Sequence, residues 1–255
     1  MPRNTWNREE MILALELYFK LPFGRLNQNT LEVKQLAALI NRTNSSVALR
    51  LVNYAACDPY ILSSGRHGMA SGKNRCMPYW NEFANNKELL FLEAEIIRAK
   101  IQNRTIESNL NIKEEDYVGK DRETVIRARV NQNAFRSMIL SNYESRCAIS
   151  GIDIPMLLVA SHIKPWAVDA ENRLNPENGI CFSPLYDRLF DSGLITVMDD
   201  FSVLLSKELL DKRNTVYFKE YIAPISGKKL QLPIEHYPNI NFLQYHYDNI
   251  FSRHN

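Results

Sequence analysis

His162, Asn178 and Asp187 are polar residues at spacings that suit one another. His162 stands in Val159-Ala160-Ser161-His162-Ile163-Lys164-Pro165-Trp166, and Asn178 opens Asn178-Gly179-Ile180-Cys181-Phe182. Asp187 lies nine residues after Asn178, with Asp191 four further on in Tyr186-Asp187-Arg188-Leu189-Phe190-Asp191. Histidine exchanges a proton near neutral pH, so His162 is a candidate base. It is the only histidine between His67 and His236. Carboxylates at i and i+4 share a helix face, and their hard oxygens suit Mg²⁺ or Mn²⁺. A base, a residue that holds the base and a carboxylate pair together suit metal-assisted cleavage of a phosphodiester.

These residues need elements to position them. Arg146–Gly151 and Leu157–Ala160 read as short strands around a turn, with His162 just after the second. A loop containing Pro165, Trp166, Asn172, Arg173 and Pro176 follows, and Asn178–Phe182 begins another extended segment. Ser183 caps a helix whose first position is Pro184. The order is strand, strand, helix.

With that order and those motifs, residues 131–200 resemble an HNH endonuclease of the ββα-metal kind. The resemblance implies that His162 activates water for in-line attack on a scissile phosphate. It implies that the Asn178 amide bonds backbone in the intervening loop and so holds the base. Asp187 stands where the final motif histidine is expected, and Asp191 is a second ligand or a partner of the first. Ser161 departs from the Asp or His that many members carry there: either it binds metal through water, or the first ligand comes from elsewhere. Lys164 and Arg173 would contact flanking phosphates, and the products would be 5′-phosphate and 3′-hydroxyl ends. The implied cofactor is Mg²⁺ or Mn²⁺ and the implied partner is DNA, in bacterial restriction or phage defence. A homodimer would let two such sites cut two strands. The alternatives are a DNA-binding regulator with an inactive HNH relic, or a nuclease directed at RNA.

Upstream, Asn7–Lys20 reads as an amphipathic helix, with Asn7 and Glu10 as a capping box and Leu21-Pro22-Phe23-Gly24 as its end. A helix over 30–40 carries Val33, Leu36, Ala37, Leu39 and Ile40 as its apolar stripe. After the break Asn41-Arg42-Thr43-Asn44, a third helix runs from Ser45 to Ala56, giving a helix-turn-helix outline. Its polar residues Ser46, Arg50 and Asn53, with Ser45, would face a groove if this unit binds DNA; otherwise it is scaffold. Residues 60–78 read as a long basic glycine-containing loop, in which Arg66 and Lys73 either meet phosphates or sit on an exposed connection. A helix over 86–104, with Leu89, Leu90, Leu92, Ile96 and Ile97 apolar, leads into charged sequence to 129, read as a linker. Helical spacing returns over 131–145. After the motif, 194–205 reads as a hairpin, Ser226-Gly227-Lys228-Lys229 as a turn and Leu243–Phe251 as a helix.

The expectation is therefore an α+β protein: a helical, helix-turn-helix-like domain over 1–85, a helical linker over 86–130, and a ββα-metal nuclease domain over 131–255. Net charge is only +2, but residues 1–85 hold 10 Lys/Arg against 6 Asp/Glu, and residues 131–255 hold 12 against 14. Phosphate binding needs local positive charge, so DNA affinity is expected of the N-terminal part. Cys57, Cys76, Cys147 and Cys181 form no CxxC pair, so no structural zinc is expected; reduced, mostly buried thiols are. No stretch is long and apolar enough to span a bilayer, and Met1–Trp6 holds no signal core, which predicts a cytoplasmic protein with no membrane partner.

Overall fold

The computed structural model describes residues 5–254. The chain forms two compact units, Met1–Ala134 and Phe135–Asn255. Met1–Asn4, read above for the missing signal core, lie outside the described residues.

The first unit is helical: α1 (Arg8–Lys20), α2 (Leu31–Leu39), α3 (Asn44–Ala55), α4 (Pro59–Ser63), α5 (Lys73–Phe83), α6 (Lys87–Ile101) and α7 (Ile106–Leu110), followed by the start of α8 (Arg122–Asn142). The capping box of α1 forms as expected: Glu10 N–H donates to Asn7 at 2.9 Å, and Asn7 N–H to Glu10 at 2.8 Å. Such a cap is worth about 1 kcal/mol. Every residue from Met11 to Tyr18 is buried, so α1 is the axis of this unit. Even Glu16 is buried. Burial alone would raise its carboxyl, but Lys20 and Arg98 hold it below the usual range.

Two expectations change here. The long loop over 60–78 is mostly helix. Asp58 caps Tyr60 N–H at 2.9 Å with Pro59 at the first position, which starts α4, and α5 begins at Lys73. What remains lies against α3: Met69 N–H donates to Val52 O, and a β-carbon on Gly68 would come within 2.4 Å of that carbonyl. Likewise α6, read as the start of a linker, packs on α1 and is tied to it by Arg98–Glu16 and Lys100–Glu9. The compact division falls at 134/135 rather than at 85 and 130. Ile96, expected on the apolar stripe, is 51 % exposed.

The second unit is mixed. β1 (Val159–His162) pairs antiparallel with β2 (Gly179–Phe182), and α9 (Pro184–Asp191) follows at once. A second hairpin, β3 (Ile195–Val197) and β4 (Val203–Leu205), is the one expected over 194–205. The short α10 (Lys207–Leu210) and the terminal α11 (Ile240–Asn249) complete it. Two antiparallel hairpins and several helices thus accompany a β1–β2–α9 run in the expected order.

Residues 146–151 are not a strand. Gly151 sits at φ +76°, and the chain closes on itself through Cys147 N–H to Ile152 O at 2.8 Å. The paired strands are instead the two that flank the loop, and His162 is the last residue of β1 rather than just beyond it. Ser183 holds the cap position of α9, but its side chain makes no cap bond; its N–H donates to the Cys147 thiol. All four cysteines are free and buried.

The first hairpin is covered on both faces. Residues directly opposite share a face, so His162 lies with Gly179 and Ser161 with Ile180. The His162 face meets α8: the imidazole stacks on Phe135 at 3.7 Å between ring centres. A β-carbon on Gly179 would stand 2.6 Å from Phe135 and 2.5 Å from Ile139, so only glycine admits that approach. The other face meets α9, where Phe182 and Phe190 are in ring contact at 5.5 Å.

Candidate active site

Neighbours on a strand point to opposite faces, so Ser161 and His162 gather different companions. His162 is partly buried among Phe135, Trp166 and the Arg173 backbone. Its Nε2 lies 3.1 Å from the Arg173 carbonyl oxygen. A carbonyl only accepts, so Nε2–H donates and Nδ1 carries the lone pair of the neutral ring. Burial pushes the imidazole below its ordinary value, as does the charge of Arg173, while the hydrogen bond to the Arg173 carbonyl works the other way.

Ser161 faces the aspartates. Burial raises the Asp187 carboxyl. Burial and the charge of Asp187 push Asp191 up to about 6. Ser161 Oγ lies close enough to draw both back down slightly. Yet Oγ is buried with no hydrogen bond of good geometry. A buried hydroxyl without a partner beside two carboxylates that burial pushes up is an all-oxygen set that fits a hard divalent cation. Among the described residues, no group of three or more His, Cys, Asp or Glu gathers that could hold a metal. Ser161, a hydroxyl, falls outside those residue types.

Asn178 is fully buried and clamps the loop. Its oxygen accepts Lys164 N–H at 2.8 Å, and its amide nitrogen donates to Lys164 O and Asn172 O, each at 3.2 Å. Its own carbonyl accepts Ile163 N–H at 3.0 Å. Lys164, two residues after the base, and Asn172, just before the base's carbonyl partner, are thus fixed to one side chain.

Two expected phosphate contacts are placed differently. Lys164 Nζ meets Asp169 at 2.6 Å and sits over the rings of Phe242 and Tyr245. The Arg173 guanidinium lies over Trp166, with Nε donating to the Trp166 carbonyl at 2.9 Å. Both cations therefore brace the loop itself. Phe135, Asp169 and Asn172 were not singled out by their spacing. The trace in the sequence is Asp169-Ala-Glu-Asn172, an Asp three residues before an Asn, which is a common local hydrogen-bonding turn.

In the helical unit the helix–break–helix outline stands as α2 and α3, but its polar face does not open outward. Arg50 is 7 % exposed, stacked over Trp6 and donating to Cys76 Sγ. Asn53 is 4 % exposed and donates to Met69 O at 2.9 Å. Their position one turn apart on the inner face of α3 corrects the expectation that they meet a groove. Ser46 is half-buried near the helix start, where its N–H is capped by Thr43. Arg66 lies over Phe23, and Lys73 opens α5.

Comparison with known proteins agrees with the second unit. Residues 147–198 match the HNH endonuclease family. That stretch contains β1, β2, α9 and β3, and it carries all the site residues from Ser161 to Asp191. The rest of the chain is unassigned by family. A search of curated proteins found no match. An HNH-family stretch supports nuclease-type activity in general. Among the described residues, no helix is long and apolar enough to cross a membrane.

Proposed function

We propose that this protein is a metal-dependent DNA endonuclease of HNH type, acting in restriction or phage defence in the cytoplasm. The observation that supports it most is at the end of β1. Consecutive residues offer a neutral imidazole with a defined free nitrogen on one face, and a partnerless hydroxyl beside two carboxylates on the other. A phosphate lying across that end would meet both.

His162 takes the proton of the attacking water at Nδ1, while Nε2–H stays on the Arg173 carbonyl. Asn178 keeps that carbonyl and the base in register through the loop. Ser161, Asp187 and Asp191 would hold Mg²⁺ or Mn²⁺. When bound, the ion supplies positive charge at the scissile phosphate and at the leaving 3′ oxygen. The helical unit supplies DNA affinity, and a second copy of the chain cuts the second strand.

The test is incubation of plasmid, modified phage DNA and RNA with the protein and Mn²⁺. Cleavage of DNA to 5′-phosphate ends, lost in His162→Ala and with chelator, is expected. DNA left intact alongside retained binding would favour an inert relic. RNA cut in preference would reassign the substrate. A His162→Ala variant as active as wild type would remove the base assignment.

A further inference from the structure

We propose that Asp169 is a positioning residue for His162, and that Lys164 serves as its latch to the C-terminal helix rather than as a phosphate contact. This rests on the reading of His162 as the base.

The geometry forms a closed circuit. Asp169 accepts Lys164 Nζ at 2.6 Å, Asn172 N–H at 3.2 Å, and the Asn172 amide at 3.0 and 3.1 Å. Asn172 gives its carbonyl to Asn178, and Asn178 returns to Lys164 through two backbone bonds. Only 12 % of the Asp169 side chain is exposed, so these bonds are sheltered from water. The residue after Asn172 is Arg173, whose carbonyl holds Nε2–H of His162. The placement of that carbonyl follows from how Asn172 is held. A charge-assisted bond is the strongest available hold of this kind.

The circuit is anchored outside the loop. Lys164 Nζ lies 5.4 Å from the Phe242 ring and 5.1 Å from the Tyr245 ring, both on α11. The next turn of the loop is tied to the same helix start, with Asn239 donating through backbone and side chain to Glu177 at 3.0 and 3.1 Å. A loop fixed to a helix at two points holds its carbonyls more sharply than one fixed by itself. The cation of Lys164 is thereby enclosed by a carboxylate and two ring faces, which is the setting of a structural cation.

The test uses the full chain with Asp169→Asn, Asp169→Glu and Lys164→Met. Asp169→Asn should lower kcat about 10- to 100-fold, the usual size for a partner one step behind a working residue, with KM for DNA within about twofold. Asp169→Glu should recover part of that loss. Lys164→Met should lower kcat similarly while the salt dependence of DNA binding stays as in wild type. Nitrogen NMR of His162 gives a readout independent of cleavage. Wild type should show the Nε2–H tautomer, and Asp169→Asn a mixture of tautomers. An unchanged His162 signature in Asp169→Asn would overturn the proposal, as would a salt slope flattened by about one in Lys164→Met, which marks a lost phosphate contact. If wild type cuts nothing, the nuclease reading fails while the tautomer measurement still decides the role of Asp169.

Discussion

Asp191→Asn separates a metal-ready carboxylate pair from an ordinary helix face. In the metal-free protein the Asp191 carboxyl is pushed up to about 6 from an ordinary 3.8, first by burial and then by the charge of Asp187. A shift of about two units corresponds to about 3 kcal/mol if fully expressed. Asp191 keeps much of its surface in solvent, so screening reduces this to about 1 kcal/mol. The sign follows from linkage. A carboxyl raised in the folded state adds stability below its unfolded value, and that stability is lost as pH rises through about 6. At pH 7.5 Asp191 is charged and the metal-free fold carries the full cost.

Removing the Asp191 charge should therefore raise the melting temperature of the metal-free protein at pH 7.5, by about 3 °C for a unit of this size. The gain should shrink below pH 6 and nearly vanish close to pH 3.8. Mn²⁺ should reverse the ranking. At a hundredfold excess over its Kd, a ligand stabilises by about 2.7 kcal/mol, and only the wild type should gain it. Differential scanning calorimetry with chelator and then with Mn²⁺ measures both halves. A variant less stable than wild type in chelator, or one stabilised equally by Mn²⁺, would refute the reasoning.

Three further outcomes are expected. His246 is fully buried, stacked on Phe190 at 3.7 Å and bonded to Thr196 and the Phe190 carbonyl, and burial pushes it down to about 4. Its contribution of up to about 3 kcal/mol is present above pH 6.5 and lost as pH falls through about 4; urea unfolding of His246→Phe should lose that acid sensitivity, and an unchanged pH profile would contradict it. Gly179→Ala forces a β-carbon into Phe135 and Ile139, so a loss of about 1–3 kcal/mol is expected together with reduced cleavage, because Phe135 carries the His162 ring; wild-type stability would disprove the close approach. Arg50→Ala should destabilise the helical unit by about 2 kcal/mol and leave the salt slope of DNA binding alone, whereas Lys73→Ala with Arg75→Ala should lower that slope by about two and leave stability alone; the reverse pattern would restore Arg50 to a groove-facing role.

What the sequence made legible was local. The capping box of α1, the Pro184 start of α9 and the 194–205 hairpin depend on neighbours within a few residues, and such patterns are written in order along the chain. The partner of β1 was misjudged because strand pairing is not local: Gly151 at a positive φ turns 146–151 away, and only the folded loop brings β2 alongside. The side of a polar residue was harder still. Arg50 and Asn53 have polar heads on long or hydrogen-bonding side chains, and nothing in their spacing says that Trp6 and the Met69 carbonyl wait inside the unit to receive them. Part of the basic balance of residues 1–85 is likewise taken up inside the unit. Arg8, Arg25 and Arg42 face glutamates, while among the described residues Lys34, Lys73 and Arg75 carry no ion pair. The latter three are candidates for the phosphate affinity proposed for this unit.

A serine in place of an acid at 161 has its own logic in this fold. Asp187 and Asp191 already resist ionising together, and a third buried anion facing them would raise both further. A hydroxyl is donor and acceptor at once. In the metal-free protein its hydrogen can lean toward either carboxylate, and its influence on both is felt as a lowering. If Asp187 and Asp191 hold a cation as proposed, Ser161 would be free to lend it an oxygen, since Oγ holds no other hydrogen bond. Ser161→Ala should then weaken Mn²⁺ binding while raising the Asp191 carboxyl still further, two effects that an acid at this position could not produce together.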